Sequence, residues 1–223
     1  MQISHLFAGK PQAFGSRGAP SSIIKKPYKS LNIKFDGAVE DEQGNKKLHG
    51  GPFMALHQYA QSSFDVLAAQ FTNTQLAFDI GSIGENLSAP SMDDETVFIG
   101  DTYEVGSAIL QLVSPRAPCS KINTRFGISR VDAFIYEKNI TGWYYSVLKE
   151  GEIACGDSLK LVDRPEDALS VSQIWQLRKC IKQLPAEAMR EYWLNIADTA
   201  INTPSLAPEW QAFANRAAVK LSQ

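Results

Sequence analysis

The sequence contains few residues that bind metals or form disulfides. Only three of its 223 residues are cysteine and three are histidine. The cysteines are Cys119, Cys155 and Cys180. They form no CxxC pair and are too few and too scattered for a disulfide framework, and the histidines are too scattered to predict a zinc site. The pattern is typical of a protein of a reducing cytoplasm.

Several other features are absent. The net charge of −2 gives no basic surplus for a nucleic-acid polymer or an anionic membrane surface. No apolar run approaches the length of about 18 residues that predicts a membrane-spanning helix, and the first residues lack the pattern of a secretory signal. GxSxG, P-loop, GxGxxG and HExxH motifs are missing. Nucleic acid, a membrane and pyridoxal phosphate are therefore not expected as partners.

Up to about residue 163, the sequence pattern is that of short strands. Hydrophobic residues make up 44% of the chain, which is enough for a core. In TVFIGDTYEVGSAILQLVSP, extended runs at 97–99 and 108–113 flank a predicted Gly-Asp turn at 100–101. Many short strands with Gly, Pro and Asp between them favour a β-barrel or sandwich, and only two helices, at 64–71 and at 131–135 after a candidate cap at Ser129, interrupt them.

Beyond DRPED the period of the apolar residues becomes helical. Three stripes begin near Val171, Met189 and Trp210, and Pro185 suits the first turn of the second helix. We therefore predict a mainly β protein with added α structure: a barrel domain over residues 1–163 and a small three-helix domain over residues 164–223.

One cysteine lies in an unusual context. In SPRAPCSKIN, Pro115 and Pro118 restrict the loop that carries Cys119. Arg116 and Lys121 lie near enough in sequence to place positive charge beside the thiol. The stretch is consistent with a functional thiol next to an anionic ligand, or with an inert, half-buried thiol at the end of a strand.

Two glycine-containing segments are candidate pocket loops. In KKLHGGP, the pair Gly50 and Gly51 predicts either a tight turn beside an incidental His49 or a close backbone approach to a ligand. In IGENLS, Glu85 and Asn86 offer hydrogen-bonding groups, although a polar turn before an edge strand is an equally simple interpretation.

The order of these motifs is more informative than any of them alone. HGGP, GENL, a Gly-Asp turn, PRxPCxKI and the glycine-led aromatic strand TGWYYSV follow one another along the chain. By itself the aromatic strand indicates core packing, or the wall of a pocket for a flat ligand. Together the motifs resemble the MOSC family over most of residues 1–163. The helical tail resembles the three-helix extension of the YiiM-type branch of that family.

The resemblance implies a MOSC-type β-barrel that binds the molybdenum cofactor, a molybdenum pyranopterin. Cys119 would be the catalytic residue and the thiolate ligand of the metal, a soft donor that suits this centre. The cofactor carries a phosphate, for which a guanidinium and an ammonium are suitable partners. The cofactor-binding residues that the resemblance implies are His49, Gly50, Gly51, Glu85, Asn86, Arg116 and Lys121.

The resemblance also implies an activity. Relatives of the YiiM type reduce N-hydroxylated compounds such as hydroxylaminopurines, so that R–NHOH, two electrons and two protons give R–NH2 and water. With Cys119 committed, the two remaining cysteines are too few for a four-cysteine iron–sulfur cluster, and we expect electrons from a separate reductase protein. The alternative is a non-catalytic protein that carries or inserts the cofactor or sulfur.

Two positions depart from the family pattern. Glu40 precedes Asp41 where a glycine is expected, and Met54 stands where a basic residue often follows HGGP. A glutamate at position 40 would add negative charge near an anionic cofactor or close a backbone approach to it. These two positions concern the details of the pocket and the substrate range.

Overall fold

The chain is described from a computed structural model, which covers residues 1–44 and 50–223. The described residues form the following strands: β1 (His5–Ala8), β2 (Gln12–Phe14), β3 (Ala19–Ser21), β4 (Lys26–Tyr28), β5 (Ser30–Lys34), β6 (Gly37–Ala38), β7 (Leu56–Gln58), β8 (Leu87–Ser88), β9 (Thr102–Val105), β10 (Ala108–Pro115), β11 (Trp143–Lys149), β12 (Gly151–Ala154) and β13 (Lys160–Asp163). The helices are α1 (Gln61–Gln70), α2 (Lys121–Phe126), α3 (Val131–Lys138), α4 (Val171–Lys182), α5 (Arg190–Ile201) and α6 (Pro208–Leu221).

Eight strands form one curled, half-barrel sheet in the order β13-β9-β10-β11-β7-β8-β1-β4. A three-stranded sheet, β12-β5-β6, and the hairpin β2-β3 complete the β structure of the described residues. The pairings are antiparallel except that of β7 with β8. The predicted fold class, a mainly β barrel followed by helices, is confirmed.

The central ladder follows from the alternation of apolar side chains. Trp143, Tyr145 and Val147 of β11 are buried, as their spacing predicts for a strand with one face on the core. The expected strand at 97–99 is wrong, because that segment makes only a bridge from Phe98 to Ser170. The β9–β10 hairpin instead turns at residues 106–107, since Ala108 pairs with Val105.

Of the helices that interrupt the strands, α1 and α3 lie where the apolar spacing predicts them, whereas α2 was not predicted. The candidate cap at Ser129 is wrong: the residue before the first turn of α3 is Arg130, in the left-handed conformation with a φ of 70°, and its side chain makes no capping hydrogen bond. The amide of Asp132 in the first turn instead donates to Asn123 Oδ1 at 3.1 Å. Within the described residues, no helix is both long enough and apolar enough to cross a membrane.

The C-terminal helices pack on one another and on the sheet. Ser170 and Gln173 cap α4 reciprocally, with bonds of 2.9 and 3.1 Å. Trp175 and Trp210, both buried, belong to the same continuous hydrophobic core as the buried residues of β10 and β11. Pro185 does not lie in the first turn of α5, which a short 3₁₀ helix precedes. The boundary at residue 163 remains a prediction, although the last strand does end there.

Candidate functional site

A pocket lies at the end of the sheet where several loops converge. Its wall includes residues of the β2–β3 hairpin and the following loop, the segment 41–44, the start of β7, the IGENLS loop, the loop after β10, and β11. The strands fix the ends of these loops, so residues distant in sequence meet at one place. The pocket is therefore built mainly from loops on a rigid scaffold, as binding sites often are.

Cys119 lies in the loop between β10 and α2 and is half-buried against the pocket. The loop is anchored on both sides. Pro115 ends β10 opposite Trp143, and the amide of Arg116 donates to the Gly142 carbonyl at 2.9 Å. The Cys119 carbonyl accepts from the amide of Ile122, in the first turn of α2, at 3.0 Å. The backbone of the loop is thus fixed on both sides of Cys119.

Arg116, His57 and Tyr144 form the inner wall of the pocket. Arg116 Nη1 and His57 Nε2 are buried and have no hydrogen-bond partner within the described residues. Burial, and then the charge of Arg116, lowers the pKa of His57 well below its usual value, so the imidazole is neutral at pH 7. Burial raises the pKa of Tyr144, while the charge of Arg116 and its hydrogen bond to the hydroxyl oppose this shift.

A buried ion pair lies beside these residues. Lys25 Nζ is 2.5 Å from Asp41 Oδ2, and their side chains are 5% and 6% exposed. Asp41 also accepts from the Gly9 amide at 2.8 Å and from Asn86 Nδ2 at 2.9 Å. Burial lowers the pKa of Lys25, and the charge and hydrogen bond of Asp41 counteract it. The pair places a cation in the pocket wall, and Asp41 offsets part of the cost of burying it.

Asn86 and Glu85 organise the loop that carries them. Asn86 Oδ1 accepts from the amide of His57 at 3.0 Å, and Nδ2 donates to the Phe7 carbonyl at 3.3 Å as well as to Asp41. Both amide hydrogens are used, so within the described contacts Asn86 faces the pocket mainly as a structural group. Glu85 is fully buried and accepts from two amides of its own loop, Gly81 and Ile83. It is not part of the pocket lining described.

The other residues expected at the site differ in position. Lys121 lines the pocket, but its ammonium also donates to the Pro20 carbonyl at 2.7 Å. Gly50 and Gly51 are not in the described lining. Gly51 is exposed, has a φ of 93° and leads into a 3₁₀ turn. His49 lies outside the described residues.

The two departures from the family pattern have different consequences. Glu40 does not line the described pocket. Its carboxylate accepts hydrogen bonds from the side-chain amide of Asn32, at 2.8 Å, and from the Asn32 backbone amide. It adds no carboxylate to the described pocket lining. Met54 does line the pocket, so a soft apolar side chain lies in its wall at this position.

Lys25 and His57 are among the pocket residues that sequence reasoning did not single out, and Tyr144 was included only through the aromatic strand TGWYYSV. A histidine among the apolar residues of MALHQYA was a usable signal for His57, since a buried imidazole needs partners. Tyr144 occupies the opposite face of β11 from Trp143 and Tyr145, which period-2 alternation predicts. No local signal separates Lys25 from its neighbour Lys26, which is exposed.

The donor set is suited to an anionic ligand rich in oxygen, nitrogen and sulfur. A soft thiol, buried cationic groups of Arg116 and Lys25 and the free ring nitrogen of His57 surround one space. A metal–dithiolene group with a phosphate would meet a soft ligand and cations there, so the residues present fit the molybdenum cofactor.

Known proteins resemble this chain in sequence and in fold. A model of the MOSC domain family matches residues 45–160. Protein YiiM of Escherichia coli (strain K12) is 35% identical over 163 residues, which cover 73% of this chain and 72% of that protein. A protein of Gibberella moniliformis named Reductase is 36% identical over 186 residues, covering 79% of this chain but only 33% of that longer protein.

A solved structure extends the likeness to the helices. The crystal structure of YiiM from Geobacillus stearothermophilus superposes with a TM-score of 0.76 at 24% identity, and the match covers 97% of this chain and 98% of the other. This similarity shows a common fold that includes α4–α6. The family match spans just over half of the chain and the Escherichia coli relative is similar over most of its length, so the chain belongs to the MOSC domain family.

Proposed function

We propose that the chain is a molybdenum-cofactor-dependent reductase of N-hydroxylated compounds, such as hydroxylaminopurines. The observation that supports this most directly is the half-buried thiol of Cys119, which shares a pocket with Arg116 and Lys25. A relative of 36% identity that is named Reductase supports an oxidoreductase, although the chain spans only a third of that protein.

The residues of the pocket would have different roles in binding the cofactor. The Cys119 thiolate would bind the metal, while Arg116 and Lys25 would offset the negative charge of the cofactor. Lys121 would reach the cofactor at the outer rim, and His57 Nε2 would accept a hydrogen bond from a donor of the bound ligand. The resemblance also implies that His49, Gly50 and Gly51 bind the cofactor. Glu85 and Asn86 would hold the loop that carries them through the hydrogen bonds described above.

The cofactor, when bound, supplies the two-electron redox chemistry. Conversion of R–NHOH to R–NH2 and water needs two electrons and two protons, and the electrons would come from a separate reductase protein. The chain's own part is to fix the thiolate and to arrange positive charge in a partly dry pocket, where electrostatic interactions are stronger than in water.

Metal analysis of matched cysteine variants tests the proposal. Protein from a host that makes the cofactor should contain molybdenum and should reduce hydroxylaminopurine when an electron donor is supplied. Cys119→Ser should lose the metal and the activity. Cys155→Ser is the matched control, because Cys155 is exposed and lies in a turn after β12, and it should keep both.

The outcomes separate the candidate functions. Molybdenum in the wild type but no turnover of any N-hydroxylated substrate would indicate a carrier of the cofactor instead. Absence of molybdenum from the wild type, or its full retention in Cys119→Ser, would contradict the role of this thiolate.

A further inference from the structure

A buried carboxylate behind the pocket has no part in the chemistry described above. Asp94 is 3% exposed and lies in the loop between β8 and β9. Its Oδ1 accepts from the Thr141 amide at 2.8 Å, the Thr141 hydroxyl at 2.9 Å and the Gly142 amide at 3.0 Å. Oδ2 is buried without a hydrogen-bond partner among the described residues. Oδ1 therefore binds the Thr141–Gly142 segment, and Oδ2 is available to accept a proton.

The dipeptide that Asp94 holds is in turn the support of Arg116. The Gly142 carbonyl accepts the amide of Arg116 at 2.9 Å, at the point where β10 gives way to the cysteine loop. Gly142 also packs against the ring of His57, because a β-carbon added to it would lie 3.1 Å from His57 Nε2. A movement of Gly142 would thus reach both side chains of the inner wall.

The backbone of Asp94 is anchored as well. The Asp94 carbonyl accepts from the amide of Ser172, in the first turn of α4, at 2.7 Å. The loop is therefore tied to the helical part of the chain. This anchoring makes the carboxylate a fixed point to which the Thr141–Gly142 segment is attached.

Burial and the neighbouring groups together set the pKa of Asp94. Burial raises its pKa to about 6, the bonds from Thr141 and Gly142 oppose this, and the charge of Asp93 adds to it. The charge of Asp94 also acts on the buried hydroxyl of Tyr59, which follows β7, and the charges of Arg116 and Glu85 act on that hydroxyl as well. Protonation of Asp94 removes the charge that strengthens its three accepted hydrogen bonds.

We propose that Asp94 is a positioning residue for the pocket: its ionised carboxylate, acting through Thr141 and Gly142, holds Arg116 in place, and protonation releases it. The consequence for cofactor retention rests on the function proposed above. The structural coupling does not, and it can be tested in protein that carries no cofactor.

The test is a pH titration of the full-length, cofactor-free chain by amide NMR between about pH 5 and pH 8. The Gly142 and Arg116 backbone amides should shift together, with one midpoint close to that of Asp94. In Asp94→Asn, which keeps the shape and an acceptor oxygen, both shifts should disappear. Glu95→Gln removes a neighbouring exposed carboxylate and should titrate like the wild type.

Each outcome decides the proposal. Absence of a titration at Gly142, or its persistence in Asp94→Asn, would overturn it, and persistence would assign the shift to another group such as His57. A Gly142 shift without an Arg116 shift would show that the support does not extend to the pocket and would equally overturn it.

A second measurement connects the coupling to the cofactor. Molybdenum retained after dialysis should fall in the wild type as the pH is lowered through about 6, and it should be independent of pH in Asp94→Asn. If no preparation contains molybdenum, the proposed function fails while the NMR result stands.

Discussion

At the scale of single residues, the ion pair of Lys25 and Asp41 illustrates how the pocket acquires positive charge. A lone buried ammonium would lose its proton or destabilise the fold. Asp41 prevents this and is itself satisfied by three donors. The carboxylate thus allows a cation to be kept where an anionic ligand would bind.

Lys25→Met should therefore destabilise the protein by about 3 kcal/mol, because it leaves the Asp41 carboxylate buried without its cation. The free energy of unfolding from urea titrations measures this. Lys34→Met is the matched control: Lys34 pairs with Glu150 at 3.0 Å, but its side chain is 59% exposed, and a loss below about 1 kcal/mol is expected. Equal losses of unfolding free energy in both variants would show that the buried ion pair contributes no more to stability than the exposed one.

Asp94 makes a prediction about stability that is separate from its proposed action on Arg116. Its pKa is raised to about 6 from 3.8, so the folded state binds the proton more tightly than the unfolded state. The associated stability is fully present below pH 3.8 and is lost as the pH rises through 6.

The free energy of unfolding of Asp94→Asn relative to the wild type should consequently increase with pH, by about 2 kcal/mol between pH 4 and pH 7. Chemical denaturation at several pH values measures the difference. Parallel stability curves for the two proteins would mean that Asp94 titrates normally in the folded state.

At the scale of elements, the pocket depends on the close approach of β7 and β11. Gly142, with a φ of 71°, lies at this contact, and a β-carbon there would be 2.6 Å from the Gln58 carbonyl oxygen. Gly142→Ala should cost about 3 kcal/mol, since it combines backbone strain with a steric clash.

Gly51→Ala provides the comparison for that variant. Gly51 has a φ of 93° but nothing lies within 4 Å of an added β-carbon. The strain alone should cost about 1 kcal/mol. Thermal or urea unfolding gives the loss in the free energy of unfolding for each variant. Similar losses would show that the added β-carbon at position 142 is accommodated without a steric cost.

The strand and helix pattern was largely predictable, whereas the contacts within the pocket were not. The alternation of Trp143, Tyr145 and Val147 reflects burial on one face, which a single strand reveals by itself. The segment 97–99 misled because its apolar side chains are buried without belonging to the ladder of β9. The local sequence pattern indicates which side chains are buried, but it does not indicate which strand the backbone groups hydrogen-bond with.

The pocket residues show the same limit more sharply. Cys119 and its prolines form a local sequence signal. Lys25 and Asp41, however, meet only because two loops fold together, and the adjacent residue Lys26 points to solvent. Likewise, Asn86 lines the pocket, and nothing in its local sequence indicates that its amide hydrogens bond Phe7 and Asp41. Such pairings depend on tertiary geometry, to which residue type is a weak guide.

At the scale of the whole molecule, the helices and the sheet share one core. Trp175 is fully buried and its indole nitrogen donates to the Tyr136 carbonyl, in α3, at 3.0 Å. Arg178 lies over the rings of Trp175 and Trp210, at 5.2 and 5.6 Å from their centroids. The helical part thus packs on the barrel part through aromatic contacts of the kind found inside a single domain.

Trp175→Ala should therefore lower the free energy of unfolding by about 4 kcal/mol and leave a single cooperative transition. Circular dichroism and tryptophan fluorescence, followed in the same urea titration, should coincide. Two separate transitions would instead indicate that residues 164–223 unfold as an independent domain.

The hairpin β2–β3 and the loop after it form one side of the pocket opening, where Ser21 and Ser22 line the wall. Among the described strands, β2 and β3 pair only with each other. Insertions or substitutions in the hairpin can therefore accumulate without changing the register of the eight-stranded sheet. Changes in the hairpin can thus reshape the entrance to the pocket while the scaffold that holds Cys119 keeps its strand register.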